Sequence, residues 1–281
     1  MHSSILESKK SIRELKSSFK VQLRVVGALI LREVLTRYGR KNIGFLWLFV
    51  EPMVFTLGIV VIRNIIMGNS ALNLTNNQQF FGSMSFAGFL MTGYSGFILF
   101  RNICNRIAST SNSNKGLLYH RNIRILDLIF SRFILELAAV SASLIALTLA
   151  FHEFGLMSLP ENILNVIVAW LLLAWFCFGF GLIVGYLMKA SSFFDRIWPI
   201  ILIVSLPFSG VIFMLSWLPA NAQEFLSWFP LVNALEFLRE SYFGPSIKAM
   251  YSISYLVSIN LVLTFVGLTL SRKIRRVLES E

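Results

Sequence analysis

The charged side chains are where this sequence could do chemistry, because its nucleophiles and metal ligands are not arranged for it. No GxxxxGK[ST] phosphate loop, HExxH, CxxC or GxSxG occurs, and His2, His120 and His152 stand apart from one another. Cys104 and Cys177 lie in or beside apolar stretches, as packing residues do. Arg24, Arg32, Arg37, Arg40 and Lys41 instead form a basic series among aliphatic residues, a pattern suited to phosphate groups or an anionic chain. Glu51, followed by Pro52 at the head of an apolar stretch, is either part of a gate or substrate path, or the partner of an arginine near a membrane boundary. Lys115, Leu117, Leu118 and Tyr119, with Arg121 close behind, make a compact apolar and basic patch after the polar run STSNSN. That patch either packs on the chain's own helices or docks another cytoplasmic protein. Glu236, Arg239 and Glu240 are three and four apart, so Glu236 can pair with Arg239 on a helix. Trp170 and Trp175, with Phe176, Phe178 and Phe180, run too far through one stretch to be edge anchors alone. They either line a cavity that stacks on sugar faces or pack between helices.

What must position these groups is a membrane fold. Hydrophobic residues are 56% of the chain and charged residues 14%, with a mean hydropathy of +0.71, where a soluble chain carries about a quarter charged residues. Twenty-six Phe beside 14 Asp plus Glu would leave apolar surface in water on any compact globule. Six stretches approach the roughly 20 residues needed to cross hydrocarbon: Phe45 to Ile62, Phe80 to Phe100, Phe133 to Phe151, Ile163 to Met188, Ile197 to Leu218 and Ala249 to Leu270. An even number places both ends on one side, and that side then holds 22 of the 25 Lys and Arg. Positive residues stay inside, so both termini are expected in the cytoplasm. The net charge of +11 is then largely topological, which removes the argument for nucleic acid as a partner. The polar, basic N-terminal residues lack the pattern of a cleaved signal, so the first span is expected to act as the insertion signal.

Two segments are not simple spans. Residues 19 to 37 place Phe19, Leu23, Val26, Ile30 and Val34 along one face, with Lys20, Arg24, Arg32 and Arg37 available to headgroups, which predicts an interfacial helix. The alternative, a seventh span, would carry Arg24, Arg32 and Glu33 into lipid. Residues 219 to 248 hold apolar runs too short to span and too apolar for an exposed loop, which predicts short re-entrant or interfacial helices. Pro199 and Pro207, followed by Gly210, predict a fifth helix that is not straight. The expected fold is an all-α polytopic membrane protein with six transmembrane helices. Its parts are a tail at 1–18, an amphipathic interface helix at 19–41, a permease domain at 42–270 and a tail at 271–281. The domain contains a cytoplasmic segment at 109–124 and short periplasmic helices within 219–248.

From about residue 28 to 275 the sequence resembles the membrane permease of capsular polysaccharide ABC exporters, in the wider type-two group that also handles O-antigen and teichoic acid. LRE at 31–33, TRYG at 36–39, IGFLW at 43–47 and Glu51-Pro52 resemble the family's gate helix and the start of its first span. NKGLLY at 114–119, followed by Arg121, Asp127 and Arg132, resembles its coupling segment. WFPLVNALEFLRE at 228–240 resembles its periplasmic re-entrant region. Phe229 and Asn233 depart from the Asn and His expected there, while Pro230, Glu236 and Arg239 keep the pattern. The resemblance implies a homodimer in the bacterial inner membrane, two copies of a separate cytoplasmic ATPase, no cofactor, and a lipid-linked anionic polysaccharide as cargo. Periplasmic co-export and outer-membrane export proteins are implied as further partners. It casts Arg24, Arg32, Arg37, Arg40, Lys41 and Glu51 as gate or substrate-path residues, and Lys115, Leu117, Leu118, Tyr119 and Arg121 as ATPase contacts. Glu51-Pro52 leans toward capsule. The alternative is an exporter of the same build for O-antigen, another glycolipid or a small hydrophobic molecule. An ion-coupled transporter would show interrupted spans in both halves, whereas interruption here falls mainly in one.

Overall fold

The computed structural model describes residues 20–36, 43–66, 85–110, 124–245 and 247–279, without the side chains of 43–45 and 274–279. Among the described residues every regular element is helical. They are α1 (20–36), α2 (Ile43–Ile66), α3 (Phe86–Ala108), α4 (Ile125–Glu153), α5 (Ile163–Ala190), α6 (Ser192–Phe208), a short 3-10 turn (Leu215–Trp217), α7 (Ala220–Ser227), α8 (Pro230–Phe243) and α9 (Ile253–Glu279). Four of the helices are long and apolar enough to cross a membrane: Leu46–Ile66, Ile125–Glu153, Ile163–Ala190 and Ile253–Lys273. The other two expected spans correspond to α3 and α6. Helix α3 runs on through Arg101 and Arg106, and α4, one of the four, starts two turns before Phe133, so charged residues sit on helices that the apolar stretches alone did not include.

The fifth stretch is corrected more strongly. It was expected from Ile197 to Leu218, but its helix has 17 residues and ends at Phe208, about 25 Å at 1.5 Å per residue. Pro207 and the turn at Gly210, whose φ of 84° suits glycine, stop the helix rather than bend it. Residues 209–214 then run as irregular backbone into the Leu215–Trp217 turn. Pro52 has a gentler effect inside α2. It leaves the Leu48 carbonyl, four residues earlier, without its helical donor. The Ser143 hydroxyl of α4 donates to that carbonyl at 2.6 Å, so α2 continues and gains a cross-helix tie.

Helix α5 is the centre of the bundle, packed against α3, α8 and α9. The main core joins Phe97, Leu99 and Ile103 of α3 to Leu173, Cys177 and Leu182 of α5, and Leu235 and Leu238 of α8. Between α5 and α9 the backbones approach closely. A Cβ added to Gly267 would lie 2.7 Å from the Leu182 Cβ and 3.0 Å from the Gly179 carbonyl oxygen. Polar ties reinforce the same seam: Trp175 Nε1 donates to Thr264 Oγ1 at 2.9 Å, and Asn260 Nδ2 to the Leu172 carbonyl at 3.0 Å. Large apolar side chains such as Leu164, Leu171, Ile203 and Phe265 point outward, a surface that lipid rather than water would cover.

This packing predicts that Gly267→Val overpacks the α5–α9 seam, with a loss of about 1–3 kcal/mol. In detergent the variant should unfold several degrees below the parent. Gly58→Ala, at a glycine with no atom within 4 Å of the added carbon, should leave the transition in place. Equal transitions for parent and Gly267→Val would show that the seam is loose.

Candidate functional site

Among the described residues, paired and buried charged groups gather at three places. The first lies between α2 and α3. Tyr94 and Arg101 are seven apart on α3 and so share a face, and both reach Glu51 on α2. Arg101 Nη2 is 2.7 Å from Glu51 Oε1, and the Tyr94 hydroxyl donates to the same oxygen at 3.1 Å. Phe55 stacks on the Tyr94 ring with centroids 3.7 Å apart. Glu51 therefore has the geometry of an arginine partner. The pair is nevertheless partly open, Arg101 at 27% and Glu51 at 19% side-chain exposure, so Arg101 still presents a cation at its rim. One turn further on, Trp198 Nε1 of α6 donates to Asn105 Oδ1 at 2.7 Å and fixes α6 against α3.

The second place joins α1, the end of α3 and the start of α4. Arg132 on α4 has Nη1 donating to the Arg106 carbonyl at 3.1 Å, to Ser109 Oγ at 3.1 Å and to Thr110 Oγ1 at 3.3 Å. Its Nε lies 3.3 Å from Glu33 Oε1 of α1. Asp127, one turn and a half earlier on α4, accepts the Arg124 amide at 2.9 Å and the Gln22 side-chain amide of α1. Arg106 also approaches the buried Glu136 at 3.8 Å. These ties set which face of α1 packs against the bundle. That face carries Gln22, Val26, Leu29 and Glu33, while Leu23 is 56% exposed beside exposed Val21, Leu31 and Leu35. Arg24 is exposed on that outer face, and Arg32 is half-buried.

The third place is built on α8. Arg239 is completely buried, and both of its terminal nitrogens are directed at backbone. Nη1 donates to the carbonyls of Gly210 at 2.7 Å and Phe213 at 3.1 Å, and Nη2 to those of Val211 at 2.7 Å and Phe89 at 3.5 Å. Its guanidinium carbon lies 3.8 Å above the Phe89 ring centroid. Gly93 of α3 makes room, since a Cβ there would fall 2.3 Å from Arg239 Nη2. Glu236 is not engaged with Arg239 as the three-residue spacing suggested. Its two oxygens accept the amides of Leu215 and Met250, each at 3.1 Å. Asn233 continues the pattern, its Oδ1 accepting the Ser252 amide at 3.0 Å and its side-chain nitrogen donating to the Ser227 carbonyl. Pro230 occupies the first turn of α8, where its missing donor costs nothing.

Trp170 and Trp175 belong to interhelix seams, Trp170 Nε1 donating to Ser141 Oγ at 2.8 Å and Trp175 to Thr264; neither faces the Glu51 cluster. Arg37, Arg40 and Lys41 lie outside the described residues, as do Lys115, Leu117, Leu118, Tyr119 and Arg121. Sequence reasoning passed over Gln22, Gly93, Tyr94 and Arg101 as functional groups. Only the seven-residue spacing of Tyr94 and Arg101 carried a signal. A cavity of about 320 Å³ between the start of α5 and the end of α8 is lined by Glu161, Asn165, Glu240 and Tyr251 among others. Its two carboxylates make it no cradle for an anion.

No family model matches the chain. Individual proteins do. It is 37% identical to the capsule polysaccharide export inner-membrane protein BexB of Haemophilus influenzae, over 95% of this chain and 97% of the relative. The capsule polysaccharide export inner-membrane protein CtrC of Neisseria meningitidis serogroup A is also 37% identical, over 94% and 96%. The polysialic acid transport protein KpsM of Escherichia coli is 32% identical, over 92% and 96%.

The Arg239 geometry predicts a steep order of damage. Arg239→Met leaves the carbonyls of Gly210, Val211 and Phe213 short of a donor and should cost at least about 3 kcal/mol, seen as loss of folded protein in the membrane. Gly93→Ala should do much the same by displacing the guanidinium. Glu236→Gln keeps one good acceptor and should cost about 1–2 kcal/mol. Unfolding midpoints in detergent for the three variants check the order, and an Arg239→Met protein as stable as the parent would contradict it.

Proposed function

Because the chain belongs to the family of capsule polysaccharide export inner-membrane proteins, and is itself a multi-pass inner-membrane protein, we propose that it is the permease subunit of an ATP-driven exporter of lipid-linked anionic polysaccharide. The observation that carries this reading is identity at 37% along 95% of the chain, too long a match for a shared module. In this reading α2, α3, α4, α5, α6 and α9 are the six spans, α7 and α8 form the periplasmic re-entrant region, and both termini are cytoplasmic. Two copies enclose the conduit, and each engages one copy of a separate ATPase. The positive-inside count of the sequence supports that orientation.

The residues take the following parts. Helix α1 lies at the cytoplasmic interface, and Arg24, Arg32, Arg37, Arg40 and Lys41 hold the phosphate of the lipid terminus or the first anionic sugars. The exposure of Arg24 beside Val21, Leu23, Leu31 and Leu35 supports this, since the outer face of α1 combines a cation with apolar surface as a bilayer interface requires. Lys115, Leu117, Leu118, Tyr119 and Arg121 meet the ATPase, whose closure on ATP moves the cytoplasmic ends of the spans. Glu51 keeps Arg101 fixed in position at the side of the path, its charge partly neutralised so that a passing polyanion is attracted without being trapped. Trp170 and Trp175 stiffen the helices behind the path. Glu236 and Arg239, with Pro230 starting their helix, hold the outer segment closed around its own backbone.

Two experiments test this reading. Deleting the gene should remove surface polysaccharide by at least about tenfold, and the intact chain should restore it. Neutralising the five cations together should lower export without lowering the amount of inserted protein. Surface polysaccharide that survives deletion would overturn the reading. Separately, alkaline phosphatase fused after residue 157 should be active and after residue 115 inactive; the reverse pattern would invert the topology.

A further inference from the structure

We propose that the cavity between the start of α5 and the end of α8 is a binding site for an uncharged sugar ring. Its walls are fixed before any ligand arrives. The amides of Glu161 and Asn162 donate to the Tyr242 and Ser241 carbonyls at 2.9 and 3.3 Å, which fastens the start of α5 to the last turn of α8. Tyr251 is held on both sides in the chain, since the Met250 amide donates to Glu236 at 3.1 Å and the Ser252 amide to Asn233 at 3.0 Å. Gly244, with φ of 84°, lets the Glu161 carboxylate lie against the turn that ends α8, where any Cβ would overlap it. A cleft tied in this way has little left to order when a ligand enters.

The lining matches both the hydroxyl groups and the apolar face of a pyranose. Phe237 and Tyr251, with ring centroids 4.8 Å apart and planes inclined by 31°, supply aromatic surface for the C–H face of the ring. Glu161 and Glu240 accept from hydroxyls in charge-assisted bonds. Asn162 uses its Oδ1 on the Asn165 amide at 3.0 Å and offers Nδ2 as a donor, and the Asn165 side chain adds a second amide. Hydroxyls use donors and acceptors together, whereas an ammonium group would use the acceptors alone. Among the described residues, none that lines the cavity is basic, so its two carboxylates repel an anionic sugar. The volume, about 320 Å³, is at the small end for ligand sites and suits one or two rings rather than a length of chain. The place of the site in transport rests on the permease reading above: there it lies on the outer side and takes uncharged units of the emerging glycan while anionic units pass.

The test uses the full-length protein in lipid nanodiscs and saturation-transfer NMR. The probes are the methyl glycosides of glucose, galactose, mannose and N-acetylglucosamine, with glucosamine as the cationic and glucuronic acid as the anionic comparison. At least one neutral glycoside should show saturable transfer with millimolar affinity, and glucuronic acid none. Glu161→Ala and Asn165→Ala change side chains that are exposed, so both variants should fold as the parent does and bind that glycoside at least about fivefold more weakly. Glu224→Gln, at an exposed carboxylate of α7 that does not line the cavity, should leave binding unchanged. Absence of saturable transfer from all four neutral glycosides, tighter binding of glucosamine or glucuronic acid than of any of them, or parent-like binding by both α5 variants would each overturn the proposal. These arms need no transport. Surface polysaccharide that survives gene deletion would remove the permease reading and leave the site standing, whereas export without glycoside binding would remove the site alone.

Discussion

A fully buried arginine that cannot shed its charge is tolerable only if most of its donors are matched, and the surroundings of α8 are organised around matching the two terminal nitrogens of Arg239. The demand runs both ways. Residues 209–214 leave helical geometry after Pro207, so their carbonyls lose the partners that a continued helix would supply. Arg239 donates to those of Gly210, Val211 and Phe213, and Glu236 accepts the amide of Leu215 at the far side of the same segment. One turn of α8 thus supplies the donors and the acceptor that the broken stretch lacks. The short α6 and the buried Arg239 are two halves of one solution, since neither would be tolerated in apolar surroundings without the other.

The same rule, that backbone groups in an apolar setting must be answered, recurs on a smaller scale. Pro52 removes one donor, and Ser143 supplies one across to α4. Asn260 reaches the Leu172 carbonyl between α9 and α5. At the opposite end of the bundle Arg132 answers the last turn of α3, where helix carbonyls run out of intrahelical donors. Arg239 and Arg132 do similar work, but their settings differ. Arg239 binds backbone and ring atoms inside one compact region, which makes it rigid. Arg132, on α4, meets the end of α3 and Glu33 of α1, which makes it a junction of three elements.

What could be read from the sequence follows the same division. An uninterrupted apolar stretch located α5 well, because its only requirement is length and apolarity, while α9 runs nine residues past its apolar stretch. The helices whose limits moved, α3, α4 and α6, are those whose ends are set by tertiary partners. Arg101 and Arg106 remain helical because Glu51 and Glu136 stand beside them, and no local propensity reports that. The packed face of α1 was not legible for a related reason: a periodic count reports its apolar residues but not that Gln22 and Glu33 find partners 105 and 99 residues away. Glu33, weighed as a cost in lipid and as the end of LRE at 31–33, is the carboxylate beside the buried Arg132.

The three-residue spacing of Glu236 and Arg239 shows how a correct motif can still mislead about contact. On an isolated helix the pair would bind each other, since water offers them nothing better in geometry than a neighbouring opposite charge. Inside this fold each side chain faces several unpaired backbone groups, and satisfying those removes more than one penalty per side chain. Their opposite charges still offset one another at longer range, which is the reason both can be buried on one helix. The pairing written in the sequence is therefore retained as charge balance, while the hydrogen bonds go to the broken helix that α8 encloses.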